Sequence, residues 1–124
     1  MTISFFCVLI AALIPIALAG YAKFSAKGYD NRSPREFLNT LEGKSKRANY
    51  AQMNAYETFP PFAAGVIIAH LAGAAQPVAD VLSVSFVLLR VVYSYLYVQD
   101  QHVARSVVWV LGLLCTIGLF VVSF

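Results

Sequence analysis

The chain has 124 residues, of which 60% are hydrophobic and only 12% are charged. A soluble domain usually carries about 25% charged residues, so this composition indicates an integral membrane protein. Seven of the nine Lys and Arg residues lie in one polar segment between Tyr21 and Tyr50. The net charge of +3 therefore describes a loop, and we expect no nucleic-acid partner.

The first apolar segment covers residues 3–21, which is close to the ~20 residues that a helix needs to cross a bilayer. Its Ala-Leu-Ala-Gly end at 17–20 resembles the cleavage site of a signal peptide. However, no Lys or Arg precedes the apolar run, which is longer than a typical signal core. We therefore expect a retained transmembrane helix, with a kink at Pro15.

The polar segment that follows predicts a short helix of its own. Residues 29–32 resemble a turn, after which Ser33, Pro34 and Glu36 match a capping serine, a first-turn proline and a capping-box glutamate. Gly43 is the predicted helix end. Three apolar residues on one face predict a helix lying on the membrane surface: Phe37, Leu38 and Leu41.

Three further segments predict membrane-spanning helices, at residues 45–73, 78–98 and 103–124, although only the later part of 45–73 is uniformly apolar. The connections between them are short, so these helices should be antiparallel neighbours. The prediction is an all-α, integral membrane four-helix bundle that forms a single domain over residues 1–124. Lys and Arg concentrate on cytoplasmic loops, which places the basic first loop in the cytoplasm and both termini on the other side.

Glu57 and Arg90 are ionisable residues inside otherwise apolar stretches. A charge at membrane depth is unfavourable by at least ~2.5 kcal/mol, so such residues usually face a partner or a cavity. Counted from the loop side at about 1.5 Å per residue, both lie roughly 12 Å deep, which favours an ion pair between them. The pair could lock the bundle together, or it could belong to a ligand pocket that opens to the cytoplasm.

Helical spacing groups the surrounding polar residues on common faces. Gln52 lies two positions from Asn54, so it should point away from that face and serve a neighbouring helix or subunit. Arg47 and Arg105 near the mouth favour an anionic ligand, although either could anchor to lipid headgroups. Cys7 and Cys115 lie in apolar spans and are interpreted as small hydrophobic residues, and no metal site is predicted. The two faces are Arg47, Tyr50, Asn54 and Glu57 in the second span, and Ser83, Phe86, Arg90, Tyr93 and Tyr97 in the third.

Three motifs resemble the MAPEG family, the membrane-associated proteins of eicosanoid and glutathione metabolism. The stretch Ala-Gln-Met-Asn-Ala-Tyr-Glu-Thr-Phe-Pro at 51–60 resembles the signature of the family's second helix. Arg90, Tyr93 and Tyr97 resemble the signature of the third helix. The pair at 105–106, Arg-Ser, resembles the start of the fourth.

The resemblance implies a homotrimer that binds glutathione as a cosubstrate between adjacent subunits near the cytoplasmic face. By position, Asn54 and Glu57 would hold the tripeptide, and Gln52 would come from the neighbouring subunit. Arg105 would stabilise the thiolate, because a nearby cation lowers the pKa of a thiol. Ser106 would be a secondary catalytic candidate. The remaining implied binding residues are Arg47, Arg90, Tyr93 and Tyr97.

The chain departs from the family pattern at identifiable positions. Tyr50 stands where well-studied members have an arginine, and Arg47 lies one turn away. Arg105 matches only with a shift of one residue in the preceding connection, and Thr58 replaces a frequent tyrosine. The sequence resembles the bacterial branch most, which predicts location in a bacterial inner membrane.

The leading functional prediction is a glutathione-dependent membrane transferase or peroxidase that acts on lipophilic electrophiles or lipid hydroperoxides. A non-catalytic membrane trimer that binds a lipid or a thiol metabolite is one alternative. A small four-helix transporter is another, but such transporters carry their carboxylate in the first helix, which has no charged residue here.

Overall fold

The computed structural model describes residues 2–124, and all five regular elements in that range are helices. Four long helices confirm the predicted all-α bundle, and their bounds differ from the predicted ones by three residues at most. A short helix lies in the first loop, as predicted. The elements are α1 (Ile3–Phe24), α2 (Pro34–Asn39), α3 (Gly43–Leu71), α4 (Gln76–Val98) and α5 (His102–Val121).

Three of these helices are long and apolar enough to cross a membrane: α1, α4 and α5. The remaining long helix, α3, has 29 residues, but its first half carries the basic and polar side chains of the second predicted span. Its length exceeds what a span requires, while its composition does not identify it as one. That α3 also spans the membrane therefore stays a prediction.

The core of the bundle lies where α1, α3, α4 and α5 meet. The rings of Phe62 on α3 and Phe86 on α4 stack with their centroids 3.9 Å apart and their planes 7° apart. Cys7 and Ala11 of α1 and Leu119 of α5 belong to the same buried cluster. Helices in a bilayer gain no hydrophobic driving force from contacting each other, so close packing of this kind holds them together.

The first loop agrees with the sequence prediction in part. Asp30 accepts from the backbone N–H of Arg32 at 2.9 Å, which confirms the turn. Ser33 and Pro34 begin α2 as predicted, but the Ser33 side chain forms no capping hydrogen bond, so the predicted capping box is wrong. Gly43 is also not the end of α2; it opens α3 with a φ of +61°.

The apolar stripe of the loop contacts the bundle. Leu41 is buried with Ala22 of α1 and Ala48 of α3, and Phe37 and Leu38 of α2 lie against the same cluster. This contact joins the end of α1 to the beginning of α3. That α2 also lies on a membrane surface stays a prediction.

Candidate functional site

A cavity of about 170 Å³ lies between α3, α4 and α5. It is deeper in the bundle than the basic loop, on the face of α3 that carries Asn54 and Glu57. Polar and apolar side chains share its wall, so a ligand there would meet both kinds of contact. The lining residues are Asn54, Glu57, Thr58, Pro61, Phe86, Arg90, Trp109, Gly112, Leu113 and Thr116.

Arg90 is fixed by Asn54. Its side chain is only 4% exposed, and its Nη2 atom donates a 2.7 Å hydrogen bond to Oδ1 of Asn54. The predicted ion pair with Glu57 is therefore wrong for this chain, because the guanidinium is bonded one helical turn nearer the loop. A bond of this kind to a charged donor is shorter and stronger than one between neutral groups.

Glu57 lines the same cavity but faces outward. Its side chain is exposed, and its carboxylate accepts no hydrogen bond from residues 2–124. The carboxylate is one turn along α3 from Asn54, so a bound cation could contact Glu57 while an adjacent group reaches Arg90. The structure thus brings Asn54, Glu57 and Arg90 together as predicted, with a different pairing among them.

Two arginines and two tyrosines form a continuous row along α4 and onto α5. The Cζ atom of Arg90 lies 4.3 Å from the ring centroid of Tyr93. The Tyr93 and Tyr97 rings meet edge to face, with centroids 5.7 Å apart. The Cζ atom of Arg105 then lies 4.0 Å from the Tyr97 centroid. We call these four residues the arginine–tyrosine row; each cation over a ring contributes ~0.5–2 kcal/mol.

The arginine–tyrosine row restricts the position of the Arg105 side chain. A long side chain at the start of a helix normally samples many rotamers, whereas stacking on Tyr97 restricts it. The shifted spacing noted in the sequence therefore does not remove Arg105 from the vicinity of the cavity, since Tyr97, Tyr93 and Arg90 connect the two by direct contacts. Of the row, only Arg90 lines the cavity itself, so Arg105 lies on its loop side and outside its wall.

Two predicted residues lie outside this group. Ser106 is exposed, and its Oγ donates at 3.0 Å to the carbonyl of His102 in its own helix, so its proton is already committed. Arg47 extends to the end of α4, where its Nε donates at 3.0 Å to the carbonyl of Val98. Neither lines the cavity that contains Asn54 and Glu57.

Gln52 faces a second cavity, of about 370 Å³, between α2 and α3. Its Nε2 atom donates at 2.9 Å to Oδ1 of Asn49. Arg35 and Tyr56 line the same space. The prediction that Gln52 and Asn54 point to different faces of α3 is confirmed, and the two faces carry separate cavities.

The contribution of α5 to the first cavity was not predicted from the sequence. Trp109, Gly112, Leu113 and Thr116 follow steps of three and four, which is the spacing of one helical face. That periodicity was visible in the sequence, but an apolar stripe in a predicted membrane helix looks the same whether it faces lipid or a cavity.

Asp80 was also missed. Its Oδ1 atom accepts from the backbone N–H of Ser4 at 3.1 Å, from the Ser4 hydroxyl at 2.7 Å and from Gln76 at 2.6 Å. A carboxylate near the N-terminus of α1 also meets the positive end of the helix dipole. In the sequence, the feature that could have identified Asp80 was its position as an acidic residue near the start of the third apolar segment.

Comparison with known protein families gives one match. The model of the MAPEG family matches residues 2–124, which is nearly the whole chain. No curated protein and no solved structure matches the chain.

Proposed function

Because this chain belongs to the MAPEG family, we propose that it is a glutathione-dependent membrane enzyme. Its reaction would conjugate glutathione to lipophilic electrophiles or reduce lipid hydroperoxides. The family is one of glutathione-related membrane enzymes, and the three membrane-length apolar helices are consistent with an enzyme embedded in a bilayer. The observation that carries the proposal is the arginine–tyrosine row, which leads from Arg90 in the cavity wall to Arg105 at the start of α5.

The charges of the site complement those of glutathione, which carries an ammonium group, two carboxylates and a thiol. The free carboxylate of Glu57 suits the ammonium group. Arg90 has guanidinium N–H groups beyond the one bonded to Asn54, and these suit a carboxylate. Arg105 then remains for the thiolate, at the other end of the row.

The proposed chemistry begins with loss of the thiol proton to solvent, which Arg105 favours because a cation stabilises the thiolate. In transfer, the sulfur forms a bond to an electrophilic carbon and the leaving group departs with its electron pair. In reduction, the sulfur attacks the terminal peroxide oxygen and the O–O bond breaks. The alkoxide takes a proton to become an alcohol, and a second glutathione converts the sulfenic acid to a disulfide and water.

We propose that the working form is a homotrimer. Ligand sites usually occupy about 300–1,000 Å³, whereas the cavity beside Asn54 measures about 170 Å³ within one chain. The cavity beside Gln52 is larger, about 370 Å³, and opens on another face of α3. Apposing these two faces between neighbouring subunits would enlarge the site and bring Gln52 to the ligand.

The proposed orientation puts the basic first loop in the cytoplasm of a bacterial cell and both termini across the inner membrane. The loop-side end of the arginine–tyrosine row, at Arg105, then faces the compartment that holds reduced glutathione. The cavity wall formed by Trp109, Gly112 and Leu113 belongs to a membrane-length helix, so a lipophilic substrate can approach from the bilayer.

The test uses the full chain purified in detergent. Glutathione binding is measured by calorimetry, and turnover is followed with an activated aryl halide and with cumene hydroperoxide. Binding with turnover of either substrate supports the proposal. Binding without turnover favours the non-catalytic alternative, and absence of both overturns the glutathione assignment. Glu57→Gln should weaken binding, with Glu36→Gln in α2 as the control for charge loss.

A further inference from the structure

A groove of about 400 Å³ runs between α1 and α4 on a surface that the glutathione cavity does not share. Its walls are mostly apolar, and it extends over two turns of each helix toward the loop side. None of the residues in the proposed glutathione site lines it. The groove residues are Ile14, Ala17, Leu18, Tyr21, Val91, Ser94, Tyr95, Val98 and Gln99.

The groove faces outward from the bundle. Val91 is 52% exposed and Tyr95 is 65% exposed, although both lie within a membrane-length apolar helix. The opposite wall belongs to α1, which is also a membrane-length apolar helix. Hydrocarbon chains are therefore the natural neighbours of this surface.

The loop-side end of the groove is polar. Tyr21 and Tyr95 have hydroxyl groups there, and Gln99 adds an amide. Tyrosines of this kind are enriched where membrane helices meet the headgroup region, since an apolar ring and a polar tip suit that boundary. The groove thus changes from apolar to polar along its length, as a lipid molecule does from its acyl chains to its headgroup.

Positive charge lies at the same end. The basic segment begins directly after Tyr21. Arg47 donates from Nε to the carbonyl of Val98, a groove residue, and its two Nη groups make no hydrogen bond with residues 2–124. A guanidinium held by one nitrogen, with its planar fork free, suits a phosphate group.

From this arrangement we propose that the groove between α1 and α4 binds an anionic phospholipid, with one acyl chain along Leu18 and Val91 and the phosphate at Arg47. The charge complementarity of Arg47 selects an anionic lipid over a zwitterionic one. The proposal gives Arg47 a role apart from glutathione: Arg47 lines neither the first cavity nor the groove wall, and it is held at the end of the groove by its bond to the Val98 carbonyl. It does not depend on the proposed enzymatic activity.

The experiment measures contact between lipid and a tryptophan at the groove. Trp109 is the single tryptophan of the chain, so Trp109→Phe with Tyr95→Trp gives a protein with one reporter at the groove mouth. The control reporter is Leu111→Trp in the same background, because Leu111 is 44% exposed on α5. Each protein is reconstituted in phosphatidylcholine vesicles, and quenching by brominated phosphatidylglycerol is compared with quenching by brominated phosphatidylcholine.

We expect phosphatidylglycerol to be preferred about fivefold at the groove reporter, which corresponds to the roughly 1 kcal/mol that one interfacial cation contributes. The control reporter should show little preference. Arg47→Gln should remove the groove preference and Arg47→Lys should retain most of it. Ala17→Phe should weaken quenching by filling the groove, whereas Ile16→Phe, on the exposed neighbouring face, should not.

Three outcomes overturn the proposal. Equal quenching by the two lipids at the groove means that the site does not select anionic lipid. A preference that survives Arg47→Gln assigns the selection to other residues. Quenching at Leu111→Trp with none at Tyr95→Trp means that protein, such as a second subunit, covers the groove. A circular dichroism spectrum for each variant verifies that the helices persist.

Discussion

The hydrogen bond from Arg90 to Asn54 joins α4 to α3 across 2.7 Å at the floor of the proposed glutathione site. Arg90 is almost fully buried, so Asn54 is the group that makes its charge tolerable at this depth. The bond therefore has a structural role as well as the proposed role with a ligand, and the two can be separated by substitution.

Asn54→Leu should lower the free energy of unfolding by about 3–5 kcal/mol, because it leaves a buried guanidinium without its acceptor. The double variant Asn54→Leu, Arg90→Leu should be more stable than Asn54→Leu alone, since the unpaired charge is gone. Reversible unfolding in mixed detergent micelles measures both. Asn49→Leu is the control, because Asn49 is buried but accepts only from the neutral Gln52. Equal losses at Asn49 and Asn54 would contradict the assignment.

Glu57→Gln should separate ligand binding from stability. The Glu57 side chain is exposed and accepts no hydrogen bond from the described residues, so the melting temperature should change little, with a free-energy change within about 0.5 kcal/mol. Loss of a charged contact to the ligand should weaken glutathione binding about 10–100-fold. Calorimetry and thermal unfolding on the same sample check both. A large fall in stability with unchanged affinity would make Glu57 structural.

Three glycines in the bundle should respond differently to alanine. A Cβ at Gly112 would have a single neighbour, a Phe86 ring atom at 3.9 Å, so Gly112→Ala should be tolerated or stabilise by up to ~1 kcal/mol. A Cβ at Gly65 would lie 3.2 Å from Cβ of Leu119 and from the Phe120 ring, so Gly65→Ala should destabilise by about 1–3 kcal/mol.

A Cβ at Gly118 would meet the end of the Leu82 side chain, so the stability of Gly118→Ala should fall between those of the other two variants. Unfolding midpoints give the order, and a Gly112 variant less stable than the Gly65 variant would contradict the packing described.

Much of the site could be predicted from helical spacing. Residues three and four apart on two neighbouring helices must share faces, which correctly grouped Asn54 with Glu57 and Arg90 with Tyr93. The partner of Arg90 could not be predicted, because Asn54 and Glu57 differ by about one turn of 5.4 Å, and depth counted from uncertain helix ends cannot resolve that distance. The prediction that Gly43 ends α2 was wrong for a different reason. A glycine with positive φ fits the end of one helix as well as the start of the next, so the residue type does not distinguish the two.

Asp80 should act as an anchor for the N-terminus of α1. Asp80→Leu leaves the Ser4 and Gln76 donors without their shared acceptor and should lower the free energy of unfolding by about 1–3 kcal/mol. Asp80→Asn keeps one acceptor oxygen and should retain a larger part of that stability. Proteolysis at the N-terminus and thermal unfolding report the two effects. The exposed Asp100→Asn is the control, and equal behaviour of the Leu and Asn variants at position 80 would contradict a hydrogen-bonding role.

Arg105 allows the proposed chemistry itself to be tested through pH. A nearby cation favours the thiolate, so the pKa of bound glutathione should lie below that of the free thiol. Arg105→Leu removes the cation, and the thiol pKa should rise, so the ascending limb of the pH–rate profile, where the thiol loses its proton, should move to higher pH and the rate near pH 7 should fall. Arg105→Lys keeps a charge but loses the planar stack on Tyr97, so its profile should lie between those of the unchanged protein and of Arg105→Leu.

Ser106→Ala is the control and should leave the profile nearly unchanged, because that hydroxyl already donates to the His102 carbonyl. An Arg105→Leu profile that falls in height without moving along the pH axis would assign Arg105 to substrate positioning and leave the thiolate to another group.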